Sequence, residues 1–145
     1  MRRLLGTMLA VGVTILISSC TPTNNEDQPT TIQEADVTAI YHTMTIEELA
    51  NVMANNERTY TVVNVHIPYQ GEIEGTDANI AFDNVDALTE ALPDKSTPVV
   101  LCCRSGSMSE QAAQDLVELG YTQVYDVPGG MNAWQSSGRT LVDTQ

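Results

Sequence analysis

Short runs of β-branched residues alternate with helical patterns from about residue 37 onward, and this alternation restricts the fold more than any other feature. Thr61 to Val65 and Pro98 to Cys102 are compact apolar runs that suit strands buried on both faces. Val37 to Tyr41 and Val124 to Val127 read as two further strands. Thr45-Ile-Glu-Glu48 is a capping box ahead of Leu49, Val52 and Met53 at helical spacing, with Asn55-Asn56 as the stop. Asp83 is placed to cap a second helix through Leu92, which Pro93-Asp94 ends. Ser107-Met-Ser-Glu110 is another capping box. It opens a helix with Ala112, Ala113, Leu116 and Val117 on one face and Gly120 at its close. Gly129-Gly130 leads into a short helix, Met131 to Gln135, whose Trp134 reads as core. Strands separated by helices predict an α/β fold, a parallel sheet with helices on both faces.

Upstream of this pattern the chain changes character. Arg2 and Arg3 precede an uncharged run, Leu4 to Ile17. The run suits the apolar region of a secretory signal and falls short of the ~20 residues of a membrane-spanning helix. Ile17-Ser18-Ser19-Cys20 resembles the lipobox of bacterial lipoproteins. That resemblance implies cleavage after residue 19, a lipid on Cys20, and a protein exported and anchored at the cell envelope, facing the periplasm or the cell surface. Residues 20–36 are polar and read as a flexible tether, which leaves residues 37–145 as one domain. A length of 145 residues fits a single domain. The formal net charge is −13, and loss of Arg2 and Arg3 with the leader makes it more negative. So acidic a chain does not bind nucleic acid through phosphates.

The segment Val99-Val-Leu-Cys102-Cys103-Arg-Ser-Gly-Ser-Met-Ser109 carries the chemistry. A buried strand ends, a tight glycine-containing loop follows, and a helix starts. In such sheets ligands bind beyond the carboxyl ends of the strands. Loop N–H groups can converge into an anion-binding nest, and the helix start adds unpaired N–H groups and a positive dipole end. A cysteine at the start of this loop holds its sulfur inside the cradle, where a thiolate or persulfide anion is stabilised. An ordinary Cys, with a pKa of about 8.5, is mostly thiol at neutral pH. A helix end contributes about 0.3–1 kcal/mol at an exposed site. Hydrogen bonds to a charged acceptor contribute about 1.5–3 kcal/mol each and are the larger effect. Arg104 adds to them if its guanidinium turns inward.

Leu101-Cys-Cys-Arg-Ser-Gly-Ser-Met-Ser109, Gln111-Ala-Ala through Leu119-Gly-Tyr121, Val124-Tyr, Gly129-Gly-Met131 and Ala133-Trp134 together resemble a rhodanese domain. They match, in order, that family's active-site loop, the helix after it and its closing Gly-Gly-Met-x-x-Trp signature. The resemblance spans about residues 38 to 140. It implies sulfur transfer: Cys103 takes sulfane sulfur from thiosulfate, a persulfide or a polysulfide, holds it as a persulfide, and passes it to cyanide or a thiol. Arg104, Ser105, Gly106, Ser107, Met108 and Ser109 match the loop that cradles the persulfide. No metal or organic cofactor is implied.

Several residues depart from that pattern. Many rhodaneses carry an Arg where this chain has Met108, which offers no paired donors to an oxyanion. A persulfide or polysulfide donor fits that change better than thiosulfate does. Asn64 and His66 stand where the family has a strand-end Asp and Arg. Rhodanese-like phosphatases need Cys, five residues, then Arg. Cys102 leads to Met108 and Cys103 to Ser109, so neither spacing offers the phosphate-binding Arg and the sequence argues against that activity. His66 is a candidate neighbour of the site. Cys102 is expected to pack inward, with a Cys102–Cys103 disulfide as an open alternative. No Cys-x-x-Cys or His-x-x-x-His spacing supports a metal, and the acids from Glu72 to Asp77 lack the spacing of a calcium loop. Two rival readings stay open at this stage. One is a non-catalytic rhodanese-like module that binds a protein partner at the envelope. The other is a thiol redox protein using Cys102 and Cys103.

Overall fold

The computed structural model describes residues 40–145. The leader expected over residues 1–19, Cys20, the tether expected over residues 20–36 and the start of the strand expected at Val37 lie outside the described residues. The strands are β1 (His42–Thr43), β2 (Thr61–Asn64), β3 (Ala78–Asn79), β4 (Val99–Cys102) and β5 (Val124–Asp126). The helices are α1 (Ile46–Ala54), α2 (Val85–Ala91), α3 (Ser107–Glu118) and α4 (Gly130–Ser136). The strands form one parallel sheet in the order β1-β5-β4-β2-β3, which puts β4 at its centre. Val99, Val100, Leu101 and Cys102 are all buried, as a strand covered on both faces requires.

Side-chain alternation along β4 and β5 divides the core in two. Val63, Leu101, Cys103 and Val124 pack against Leu88, Leu92, Ala112 and Leu116 of the α2/α3 layer. Val62, Val100, Cys102 and Val127 pack against Leu49, Met131 and Trp134 of the α1/α4 layer. The expected helices on both faces are therefore present. The Thr45 capping box forms as its sequence predicts: Glu48 N–H donates to Thr45 Oγ1 at 3.2 Å, and Thr45 N–H donates to Glu48 Oε2 at 2.8 Å. At the close of α3, Gly120 N–H bonds the Val117 carbonyl and Tyr121 N–H bonds the Leu116 carbonyl, a Schellman ending.

Three local expectations are corrected, and one strand is added. Of the strand expected over Val37 to Tyr41, the described Ile40 and Tyr41 fall outside any strand; the first strand among the described residues is His42–Thr43, whose pairing with β5 begins at His42 opposite Tyr125. Asn84, not Asp83, caps α2, accepting from Ala87 N–H at 3.2 Å. The two-residue β3 has no counterpart among the strands expected from the sequence, since Ala78-Asn79 is too short to show alternation; it is fixed by pairing with Val63 and Asn64. The second capping box does not form, for a reason that belongs to the site.

The start of α4 is pressed onto the end of β4. Met131 N–H donates to the Cys103 carbonyl at 2.8 Å, and Asn132 N–H donates to the Arg104 carbonyl at 2.9 Å. A Cβ on Gly130 would stand 2.1 Å from the Cys103 carbonyl oxygen, and Gly130 has a φ of 51°. Only glycine allows this approach. Gly130→Ala is expected to lose about 1–3 kcal/mol from backbone strain, with the collision adding to it. Urea unfolding of the variant against the parent chain checks this.

Candidate active site

The end of β4 brings Cys103 under the first turn of α3. Cys103 is buried, and its Sγ accepts a hydrogen bond from Gly106 N–H at 3.1 Å. The Ser109 hydroxyl lies 3.5 Å from the same sulfur and 3.0 Å from the Gly106 carbonyl, so its single proton has either as an acceptor. Ser109 is wholly buried, so its hydroxyl is confined to this corner.

Gly106 is the N-cap of α3, with a φ of 104° and no side-chain cap. The turn out of Cys103 needs a left-handed residue, and Gly106 supplies it one position before Ser107. Ser107 therefore becomes the first helical residue and does not act as a cap, so the expected box from Ser107 to Glu110 is lost. Glu110 instead accepts from the Tyr41 hydroxyl at 2.9 Å. This leaves the first-turn N–H groups of α3 without intrahelical partners, beside the buried sulfur. An anion on that sulfur fits such a helix start.

The other expected residues separate into groups. Ser105 and Ser107 are exposed on the loop rim. Met108 turns its side chain onto the core of the α2/α3 face, so its backbone N–H is what it can offer the loop. Arg104 is exposed and makes no hydrogen bond to the sulfur: its guanidinium donates to Gln70 Oε1, and the pair borders a cavity of about 120 Å³ with Asn132 and Leu141. His66 has both ring nitrogens buried without a partner and makes no hydrogen bond to Cys103. Asn64 Nδ2 donates to Asn79 Oδ1 at 2.8 Å, and Asn64 Oδ1 accepts from His66 N–H at 3.1 Å, so Asn64 organises the strand end. Asp77 pairs with Arg58 at 2.7 Å and accepts from Val62 N–H, a structural use of the acidic loop. Cys102 and Cys103 are free thiols in the cores on opposite faces of the sheet. Burial pushes the Cys102 thiol up, and the charges of Cys103 and Asp126 add to the rise.

One residue of this site was not singled out from the sequence. Asp126, the last residue of β5, stands beside Leu101 in the sheet and is 4% exposed. Its Oδ1 has no hydrogen-bond partner. Burial pushes its carboxyl above the ordinary range; the Ser109 hydroxyl and Val127 N–H pull it down, and the Glu110 charge raises it. The available signal was an acid closing a buried strand, at the parity that faces α3.

Comparison with known proteins places this geometry. The family described as Rhodanese-like domain matches residues 41–137. The chain belongs to the rhodanese-like family. The thiosulfate sulfurtransferase GlpE of Actinobacillus pleuropneumoniae is 44% identical over 45 residues, 31% of this chain and 42% of that protein. The adenylyltransferase and sulfurtransferase UBA4 of Lodderomyces elongisporus is 26% identical over 102 residues, 63% of this chain and 22% of that protein. The chain thus spans less than half the length of these curated relatives. The crystal structure of a rhodanese-related protein from Thermoplasma volcanium superposes with a TM-score of 0.58 at 25% identity, covering 70% of this chain and 98% of that one. Rhodanese-like strands and helices therefore frame Cys103.

The raised Asp126 carboxyl has a consequence for stability. A group whose folded pKa lies above its unfolded value contributes stability at low pH that is lost as pH rises through the folded value. Asp126→Asn removes that loss. The variant's stability relative to the parent chain is expected to increase from about pH 4 to about pH 7. Urea unfolding at the two pH values measures it, and a constant difference contradicts the assignment.

Proposed function

We propose that this rhodanese-like chain is a sulfurtransferase whose Cys103 carries sulfane sulfur as a persulfide. The observation that carries the reading is the Gly106 N–H pointing at Cys103 Sγ from 3.1 Å, at a helix start with no side-chain cap. In the first half-reaction the Cys103 thiolate attacks the outer sulfur of a donor. The new sulfur–sulfur bond forms as the donor's own breaks, and sulfite or a thiolate leaves with the electron pair. In the second, an acceptor thiolate or cyanide attacks the outer sulfur and returns the pair to Cys103. The N–H groups at the start of α3 suit the negative charge that stays on sulfur through both steps. No metal or organic cofactor enters this scheme.

Two features favour persulfide or polysulfide donors over thiosulfate. Met108 supplies no charge, and Arg104 is engaged with Gln70. The Cys102–Cys103 redox reading loses its support, because the two thiols pack on opposite faces of the sheet and the Cys102 thiol is pushed up. A non-catalytic binding module predicts an inert Cys103, and this is what the main test separates. The full-length chain is incubated with polysulfide or thiosulfate, digested and analysed by mass spectrometry. The Cys103 peptide is expected to gain sulfur, and Cys103→Ser is expected to abolish transfer to cyanide or thiol. A Cys103 peptide that gains none, or a Cys103→Ser variant that transfers like the parent, refutes the proposal.

The lipobox-like Ile17-Ser-Ser-Cys20 supports a second part of the reading, that the protein works at the envelope, held to the membrane by a lipid on Cys20. One acyl chain alone binds a bilayer only marginally, so stable anchoring needs more than one. Metabolic labelling with a fatty-acid analogue is expected to mark the parent chain and to be lost in Cys20→Ser. Equal labelling of both chains contradicts the lipid assignment.

A further inference from the structure

The wall of the site away from Arg104 is acidic and open. A cavity of about 370 Å³ lies between Tyr41, Gly106, Ser107, Glu110, Asp126 and Gly129. It adjoins the reactive loop through Gly106, whose N–H contacts the Cys103 sulfur. Asp126 borders the cavity as a buried carboxyl with an unpartnered oxygen. Glu110, positioned by the Tyr41 hydroxyl, adds a second carboxylate.

None of the chain's own cations answers these two acids among the described residues. Arg58 is paired with Asp77, and Lys95 donates to the Leu119 carbonyl at 2.6 Å. Arg104 is held by Gln70, and Arg139 lies 5.0 Å from the centre of the Trp134 ring. His42 stacks on Tyr125, whose ring faces the α1/α4 layer. A buried carboxylate with one oxygen left unpartnered is costly, and a bound cation offsets that cost.

We propose that this cavity binds the ammonium group of a small aminothiol, so that cationic thiols are the preferred sulfur acceptors of Cys103. The assignment rests on the sulfurtransferase reading for the word acceptor; the binding of a cation beside Cys103 does not depend on it. With its ammonium between Asp126 and Glu110, the acceptor's thiolate attacks the outer sulfur of the Cys103 persulfide. The bond from that sulfur to Cys103 breaks, the electron pair returns to Cys103 as thiolate, and the sulfane sulfur leaves on the aminothiol. Anionic thiols of the same size meet two carboxylates instead.

Two experiments on the full-length chain test this, and their failures are distinguishable. The first needs no sulfur transfer. The modification rate of Cys103 by aminoethyl methanethiosulfonate is compared with that by its sulfonatoethyl counterpart, each normalised to a free thiol and located by peptide mass. The parent chain is expected to favour the cationic reagent by about tenfold or more, the order that one unscreened charge contact supplies. That preference is expected to fall several-fold in Asp126→Asn and in Glu110→Gln. The second experiment loads Cys103 with sulfur from polysulfide and compares discharge by cysteamine and by 3-mercaptopropionate. The ratio of the two rates is expected to fall in the same two variants. Equal reagent ratios in parent and variants, or a Cys103 that neither reagent reaches, overturn the cation site. A Cys103 that shows the cationic preference but never takes up sulfur refutes the sulfurtransferase reading and leaves the cation site standing.

Discussion

The site depends on a backbone contact between two segments far apart in sequence. Met131 and Asn132 at the start of α4 donate their N–H groups to the carbonyls of Cys103 and Arg104. Those carbonyls are thereby turned toward α4. The Gly106 N–H that follows is left to face the sulfur. Gly130 allows the contact, because any Cβ there would collide with the Cys103 carbonyl. The double glycine and the cysteine loop are thus two halves of one device, which explains why motifs some 26 residues apart work as a unit.

Much of this was legible in the sequence. The buried strands at Thr61 and Val99 announced themselves by continuous β-branched runs, and the Thr45 capping box by its spacing. The failures share a cause: each was decided by a tertiary contact. Ser107-x-x-Glu110 has the letters of a capping box, but the turn at Gly106 and the Tyr41 hydroxyl claimed its parts. β3 exists because β2 offers an unpaired edge, not because Ala78-Asn79 favours a strand. Within the site, Cys103 and Gly106 could be placed from order alone. The directions of Arg104 and Met108 depended on Gln70 and on the α2/α3 core, which no local pattern encodes.

Charge shows the same division between total and place. A formal net charge of −13 describes the far field of the protein and disfavours approach by anions. Near the reactive loop the charged and oriented groups are the Gly106 N–H at the sulfur and, lining the cavity that adjoins Gly106, the carboxyls of Asp126 and Glu110. On the proposed reading an acceptor meets the loop amide for its sulfur and the two acids for the rest of its body. Arg104, the one basic residue of the loop, is spent on Gln70 and does not soften that contrast.

The alternation of β4 places Cys102 and Cys103 in separate cores, with the sheet between them. The two thiols are neighbours in sequence and insulated from each other in space. A cysteine oxidised at such a site has no resolving partner within reach among the described residues. Peroxide reaching Cys103 would convert it to a sulfenic acid that an intramolecular disulfide does not rescue. Recovery then falls to a thiol from outside, so the reducing power of the compartment becomes part of how long this sulfur stays usable.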